Sequence, residues 1–468
     1  MKLVHWISTG GIAALAAATA YAQQAQPRPQ ISPQPSPQAR PAPRMTIPVN
    51  ALLPATSALL PATSALLPAT SALFDSYVAQ DKMPGIVGAF GAGDGPTLFP
   101  AAGKISDDPN APAAGPETLW RVYSMSKPIT GMAAMMLVED GKLNLDDPVS
   151  KYIPAFKDMK VATSPDTSLA TRPATRPITI RNLLTHTAGL GYTIVTKGPL
   201  LKEYERLGIL PLSVSAAMEE KMRPVRPKSL EEFANRVATL PLIAEPGTKW
   251  SYSIGLDVMG RVIEVASGMS FERFVQTRLF DPLKMRSSFW QVPQGEVGRL
   301  ATNYAFIGDT RTPLDPAANS VFLQRPSFPY GGAGLVMSAR DYDRFLHMIQ
   351  DGGMLDGVRV MKPETIALAT SNLLPTGVVF GGVGGGTGGT QGSNMGFGAG
   401  GSVVLADTPN GPGKGTYAWG GAAGTIAWVD PSKHSRGNVM VNYFPADRIP
   451  LREQVVAALM QDAARLRR

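Results

Sequence analysis

A strand-length apolar run, Leu119 to Tyr123, ends at Ser124-Met125-Ser126-Lys127, and a helical pattern starts directly behind it. Ile129, Met132, Ala133, Met136 and Leu137 recur at the spacing that lines one helix face. Pro128 falls in the first turn, where a missing N–H is tolerated, and Gly141 suits a left-handed stop. A strand that hands a serine to the start of a buried helix holds that serine at a rigid point. Ser124 and Lys127, three apart, share one side of that helix. The helix start favours anionic oxygen and helps keep a nearby lysine neutral. The S-x-x-K pattern occurs once in the chain. By itself it leaves two readings open: a nucleophile with its base, or a capping serine beside a solvated lysine.

The 468 residues, 44% of them hydrophobic, suffice for one large domain or two ordinary ones. A net charge of +8 comes without any long basic run, the Arg465–Arg468 tail apart, so no nucleic-acid partner is expected. The absence of cysteine excludes disulfides, a thiol nucleophile, thiolate metal sites and a lipidated cysteine anchor. Four histidines (His5, His186, His347 and His434) argue against a histidine-rich metal centre, and neither a metal nor a cofactor is expected. Residues 1–22 read as a signal peptide, with Ala20-Tyr21-Ala22 as its cleavage site. Its apolar part is too short to span a bilayer, so a periplasmic or secreted location is expected, with no stable membrane span after removal. Residues 23–71 read as a linker, Pro/Gln-rich up to about Asn50. Ala-Leu-Leu-Pro-Ala-Thr-Ser then repeats at 51–57, 58–64 and 65–71. The proline in each unit argues against a coiled coil, so a spacer is expected up to residue 71 and the globular domain over 72–468. A short amphipathic helix around Leu73-Phe74 and Tyr77-Val78 would open that domain.

Strand signals gather at the two ends of this domain. Ile86 to Phe90 and Thr97 to Ala102 form a hairpin pattern across Gly93-Asp94-Gly95-Pro96. Ser402 to Ala406, Thr416 to Ala422, Thr425 to Val429 and Asn438 to Phe444 follow late in the chain, and a helix over Leu451 to Arg467 closes it. The long region between is mainly helical and Pro-rich. The expected class is therefore α+β: one antiparallel sheet built from both chain ends and flanked by helices, with a helical region inserted.

Three further stretches stand out. In Glu245-Pro246-Gly247-Thr248-Lys249-Trp250-Ser251-Tyr252-Ser253, Tyr252 lies between a turn and a helix that Gly268 closes. Such a tyrosine is a packing residue unless it faces Lys127, whose charge would stabilise a phenolate. His186, in Leu184-Thr185-His186-Thr187-Ala188-Gly189-Leu190, reads as a hydrogen-bonded residue bracing a loop. Gly331-Gly332-Ala333-Gly334-Leu335 fits a tight turn and matches no phosphate-binding pattern, and Gly377 to Gly392 reads as a surface insertion. No G-x-S-x-G is present, which excludes the nucleophile elbow of the alpha/beta-hydrolases.

In order, Ser124-Met125-Ser126-Lys127, Tyr252-Ser253-Ile254 and Trp419-Gly420-Gly421 resemble the three motifs of the serine beta-lactamase and penicillin-binding protein superfamily. The pattern is most similar to its class C-like branch and the family VIII carboxylesterases, over about Met83 to Phe444. The resemblance implies Ser124 as the acylated nucleophile, with Lys127 and Tyr252 sharing acid–base work. It also implies an oxyanion site at the backbone N–H groups of Ser124 and Ala422. Trp419, Gly420 and Gly421 would bind substrate, the glycines letting it lie against the strand. Two departures bear on the substrate. Trp419 stands where lactamases carry a lysine that helps hold a carboxylate, and Ile254 where they commonly carry asparagine. A ring packs against an acyl or alcohol group and cannot neutralise a carboxylate. The expected activity is hydrolysis of short-chain acyl esters. The alternatives are a beta-lactamase or D-amino-acid peptidase, an acyltransferase, and a non-catalytic peptidoglycan-binding relative.

Overall fold

The computed structural model describes residues 65–382, 394–409 and 411–466. The signal-like segment, the Pro/Gln linker, the first two repeats and most of the glycine insertion lie outside the described residues. The elements used below are, in chain order, α1 (Pro68–Ala79), β1 (Gly85–Ala92), β2 (Ala101–Gly103), β3 (Leu119–Arg121), α2 (Ser126–Glu139) and α3 (Gly255–Ser267). They continue with β4 (Val336–Ser338), α4 (Ala339–Gln350), β5 (Met395–Phe397), β6 (Ser402–Val404), β7 (Tyr417–Gly420), β8 (Ile426–Asp430), β9 (Ser435–Met440) and α5 (Leu451–Leu466).

The principal sheet has seven strands in the order β5-β6-β7-β8-β9-β1-β2, every neighbouring pair antiparallel. The N-terminal hairpin adds to the edge of the C-terminal meander through β1, where Gly88 pairs with Val439 and Phe90 with Gly437. The α+β expectation is thus met, with the sheet made from both ends of the chain and helices covering it. One face packs on α4, and on the other α1 and α5 enclose a smaller core that includes Phe74, Tyr77, Ile86 and Val455. Gly437 lies under the Trp428 ring, and a Cβ there would collide with it, so the aromatic packing needs a bare backbone.

β3 departs from a simple extension of that sheet. It belongs to a separate three-stranded sheet, pairing antiparallel with β4 through Leu119↔Ser338 and Arg121↔Val336. Arg121 is wholly buried there, with its guanidinium on Asp315, Ser320 and the carbonyl of Ala301. A buried cation needs such a complete set of acceptors. This fixes the strand that delivers Ser124.

The fold also starts earlier than residue 72. α1 begins inside the third heptapeptide copy, with Pro68 in its first turn and Thr70 fully buried. Proline is tolerated there because that N–H has no intrahelical partner. The donors that follow are satisfied from the far end of the chain. The buried carboxylate of Asp462 on α5 accepts from Ala69 N (2.7 Å), Thr70 N (3.0 Å) and Thr70 Oγ1 (2.7 Å). Asp462→Ala leaves those buried donors unpaired and is expected to lower stability by about 2 kcal/mol. The check is the urea midpoint at unchanged m-value.

Candidate active site

α2 is buried along almost its whole length, from Ser126 to Leu137, so its start is held rigidly in the core. A single 3-10 turn, Tyr123–Met125, joins β3 to it and carries Ser124. Tyr123 adopts φ +42°, a conformation that bulky L-residues rarely take. It is held by edge contacts of its ring with Phe322 and Phe444 and by a hydrogen bond from Asn303 Nδ2 to its hydroxyl (2.9 Å). The strain sits one residue before the serine and sets its direction.

Ser124 Oγ is the meeting point of two motifs. Tyr252 Oη donates to it at 2.7 Å and Lys127 Nζ at 3.2 Å. Ser124 keeps 8% of its surface exposed, whereas Lys127 keeps 1% and Tyr252 3%. All three are buried, and the serine is the most exposed of them. Lys127 Nζ also donates to Gly332 O (2.7 Å) and lies 4.6 Å from the Tyr252 ring centroid and 5.7 Å from that of Tyr192. Ring faces stabilise a desolvated ammonium.

Tyr252 is placed by the loop behind it. Ser251 N donates to His186 O (2.9 Å), and His186 Nδ1 bonds Ser253 Oγ (2.9 Å). His186 is fully buried, at φ +57°, with its ring edge-on to Tyr252 at 4.9 Å. Burial, aided by the Lys127 charge, holds its pKa well below the ordinary imidazole value. It is a neutral brace for the Tyr252 loop, the role expected of it.

β7 supplies the third side. Trp419 is buried, with its ring 5.9 Å from Tyr252 and edge-on to Phe397 at 5.2 Å. Phe380 and Trp250 extend this aromatic cluster, 4.8 Å apart. Trp419 thus backs Tyr252 as part of a packed wall, and the next position, Gly420, is partly open. Gly421 is glycine for a reason other than room for substrate. A Cβ on it would strike Val122 O and Thr425 Oγ1. Its bareness lets the end of β7 close on the turn that carries Ser124. The Gly421 N–H is taken by Thr425 O (2.8 Å), so Ala422 offers the next N–H beyond that turn.

One participant was not singled out from the sequence. Asp257, in the first turn of α3, is buried and accepts from Gly332 N at 2.8 Å. Burial raises its carboxyl pKa, opposed by the Lys127 charge and the N–H groups of Gly332 and Gly331. The signal for it was a single acid between Leu256 and Val258 in a helix otherwise apolar on that side. Among the described residues, no cluster of acids and histidines suits a metal ion.

Comparison with known proteins gives the family of the chain. The chain belongs to the beta-lactamase family, whose family model matches residues 70–460. It is 33% identical over 332 residues to protein Rv1367c of Mycobacterium tuberculosis, covering 68% of this chain and 75% of that one. It is 31% identical over 377 residues to esterase EstB of Burkholderia gladioli, covering 76% and 85%. Among solved structures it superimposes on EstCE1, described as a hydrolase with promiscuous acyltransferase activity. There the TM-score is 0.68 at 26% identity, over 85% of this chain and 99% of that one.

Proposed function

We propose that this protein is a family VIII-like serine carboxylesterase that hydrolyses short-chain acyl esters through an acyl-enzyme on Ser124. The observation that carries the proposal is the contact of Ser124 Oγ with both Tyr252 Oη and Lys127 Nζ in a buried setting. Serine becomes nucleophilic only when a base takes its proton, and Tyr252 and Lys127 are the two groups in reach. As the Ser124 Oγ–carbon bond forms, that proton passes to this pair and the carbonyl oxygen becomes an oxyanion. The backbone N–H groups of Ser124 and Ala422 receive it, each worth about 3 kcal/mol by analogy with other oxyanion sites. The ester C–O bond then breaks, and the pair returns the proton to the departing alcohol. Water, activated by the same pair, releases the acid.

The aromatic wall behind Tyr252 supports the substrate class. Trp419, Trp250, Phe380 and Phe397 make it apolar and aromatic. That suits a neutral acyl or alcohol group and provides no cation for a carboxylate. The esterase name of EstB agrees with this reading. Export to the periplasm or medium is part of the proposal and rests on residues 1–22 alone. The test is side-by-side turnover of a butyrate ester and a chromogenic cephalosporin. A kcat/KM at least about tenfold higher for the ester is expected, a difference of about 1.4 kcal/mol in transition-state binding. Cephalosporin turnover exceeding ester turnover would overturn the substrate class. A second reading, acyl transfer to an alcohol, is favoured by the described acyltransferase activity of EstCE1. Ester product accumulating when an alcohol is added would establish it.

A further inference from the structure

The turn at Gly331-Gly332 is gripped from three sides, and only one of those contacts is explained by the acylation chemistry. Thr130 Oγ1 on α2 donates to Gly331 O (2.7 Å), Lys127 Nζ donates to Gly332 O (2.7 Å), and Asp257 Oδ1 accepts from Gly332 N (2.8 Å). The packing leaves no slack. A Cβ on Gly332 would come within 2.7 Å of Asp257 Oδ2, and one on Gly331 within 2.5 Å of Leu256 O. Both glycines are therefore required by the approach of α3, and the acid that crowds Gly332 is the only ionisable side chain of the first turn of that helix. The partial positive charge of a helix start stabilises a carboxylate there.

We infer that Asp257 is a positioning residue for Lys127: by holding the Gly332 N–H it fixes the backbone at that glycine so that the Gly332 carbonyl holds the ammonium against Ser124, and it supplies the negative charge that balances that ammonium. This deepens the proposed esterase mechanism and rests on it for the role of Lys127. Two peptide units meet at Gly332: Asp257 holds the N–H of the first and Lys127 the carbonyl of the second, so fixing the one at the Gly332 Cα restrains the direction of the other. The charged and titratable groups around Asp257 are Lys127 from α2, Tyr192 from the loop after His186, and Tyr330 from the glycine turn. Behind Tyr330 stands Arg226, which is itself paired with Glu219 at 2.9 Å. Lys127 is the one cation in this set without a carboxylate in direct ionic contact, so Asp257 is its nearest counter-charge among these groups.

Two substitutions separate charge from geometry. Asp257→Asn keeps an oxygen that can accept from Gly332 N and removes the charge. Asp257→Ala removes both. Removing a negative charge from beside a cationic base favours the neutral form of that base. The acidic limb of the rate–pH profile is therefore expected to move to lower pH in Asp257→Asn, by about one unit. Asp257→Ala is expected to show the same shift and a further loss of at least about tenfold in kcat with KM little changed, because the lysine is no longer held. The primary readout is the rate at which a fluorophosphonate labels Ser124 as a function of pH, with butyrate ester turnover beside it. Labelling reports serine activation whatever the natural substrate is, so a failure of the ester reading shows as intact labelling without ester turnover. A limb that stays within about 0.2 units in both folded variants would overturn the inference. A purely structural role for Asp257 would lower the melting temperature and leave the limb in place, and that outcome also overturns it.

Discussion

Ser124→Ala is expected to abolish ester turnover, lowering kcat by at least about four orders of magnitude, while the melting temperature stays within a few degrees of wild type. The size follows from the covalent route. Without Oγ there is no acyl-enzyme, and the remaining oxyanion donors and binding surface sustain only a residual rate over water. The fold is spared because Ser124 Oγ bonds only within the site, to Tyr252 and Lys127. The elements that position it are secured elsewhere, by the buried Arg121 cluster before it and the apolar length of α2 after it. Steady-state hydrolysis of a butyrate ester, with mass spectrometry of the acylated protein, checks both halves. Turnover within tenfold of wild type, or an acyl group on another residue, would remove Ser124 from the mechanism.

How much of this site was visible in the chain depends on how far its parts lie apart. Ser124 and Lys127 are one turn from each other, and the apolar spacing of Ile129, Met132, Met136 and Leu137 marks the helix that carries them. The hairpin-spaced strands at both ends gave the sheet, because period-two patterning and turn glycines are local signals. Tyr252 lies 128 residues from Ser124, and no periodicity links them; it came from the resemblance of its motif. The start of α1 was missed for the same reason. A proline in a repeated spacer reads as a helix breaker, and the carboxylate that makes it a helix start, Asp462, is 392 residues from Thr70. Asp257 was passed over because an acid in the first turn of a helix usually faces water, and here α2 and the glycine turn cover it. At Gly421 the sequence motif suggests clearance for a substrate, and the folded turn adds a second reason for a glycine that no local pattern shows, the Val122 carbonyl oxygen brought against it.

Lys127→Met and Tyr252→Phe should each lower kcat for ester hydrolysis by about two to four orders of magnitude, with smaller changes in KM. Methionine keeps the unbranched length of the lysine stem, so the packing of a side chain that is 1% exposed is largely preserved. It removes the donor to Ser124 Oγ and leaves Gly332 O without its 2.7 Å partner. Phenylalanine keeps the Tyr252 ring among His186, Trp250 and Trp419 and deletes only the hydroxyl at 2.7 Å from Ser124. The two groups act on one proton and lie 4.6 Å apart, ammonium to ring centre, so their effects are coupled. The double variant should therefore lose much less than the product of the single losses, since a base pair that works as a unit is already disabled by the first substitution. Full multiplicative losses would mean that lysine and tyrosine act in separate steps, one in acylation and the other in release of the acid. Burst kinetics then assigns them: a variant that still acylates but cannot turn over has lost the group needed for deacylation, and one with no burst has lost the group that activates Ser124.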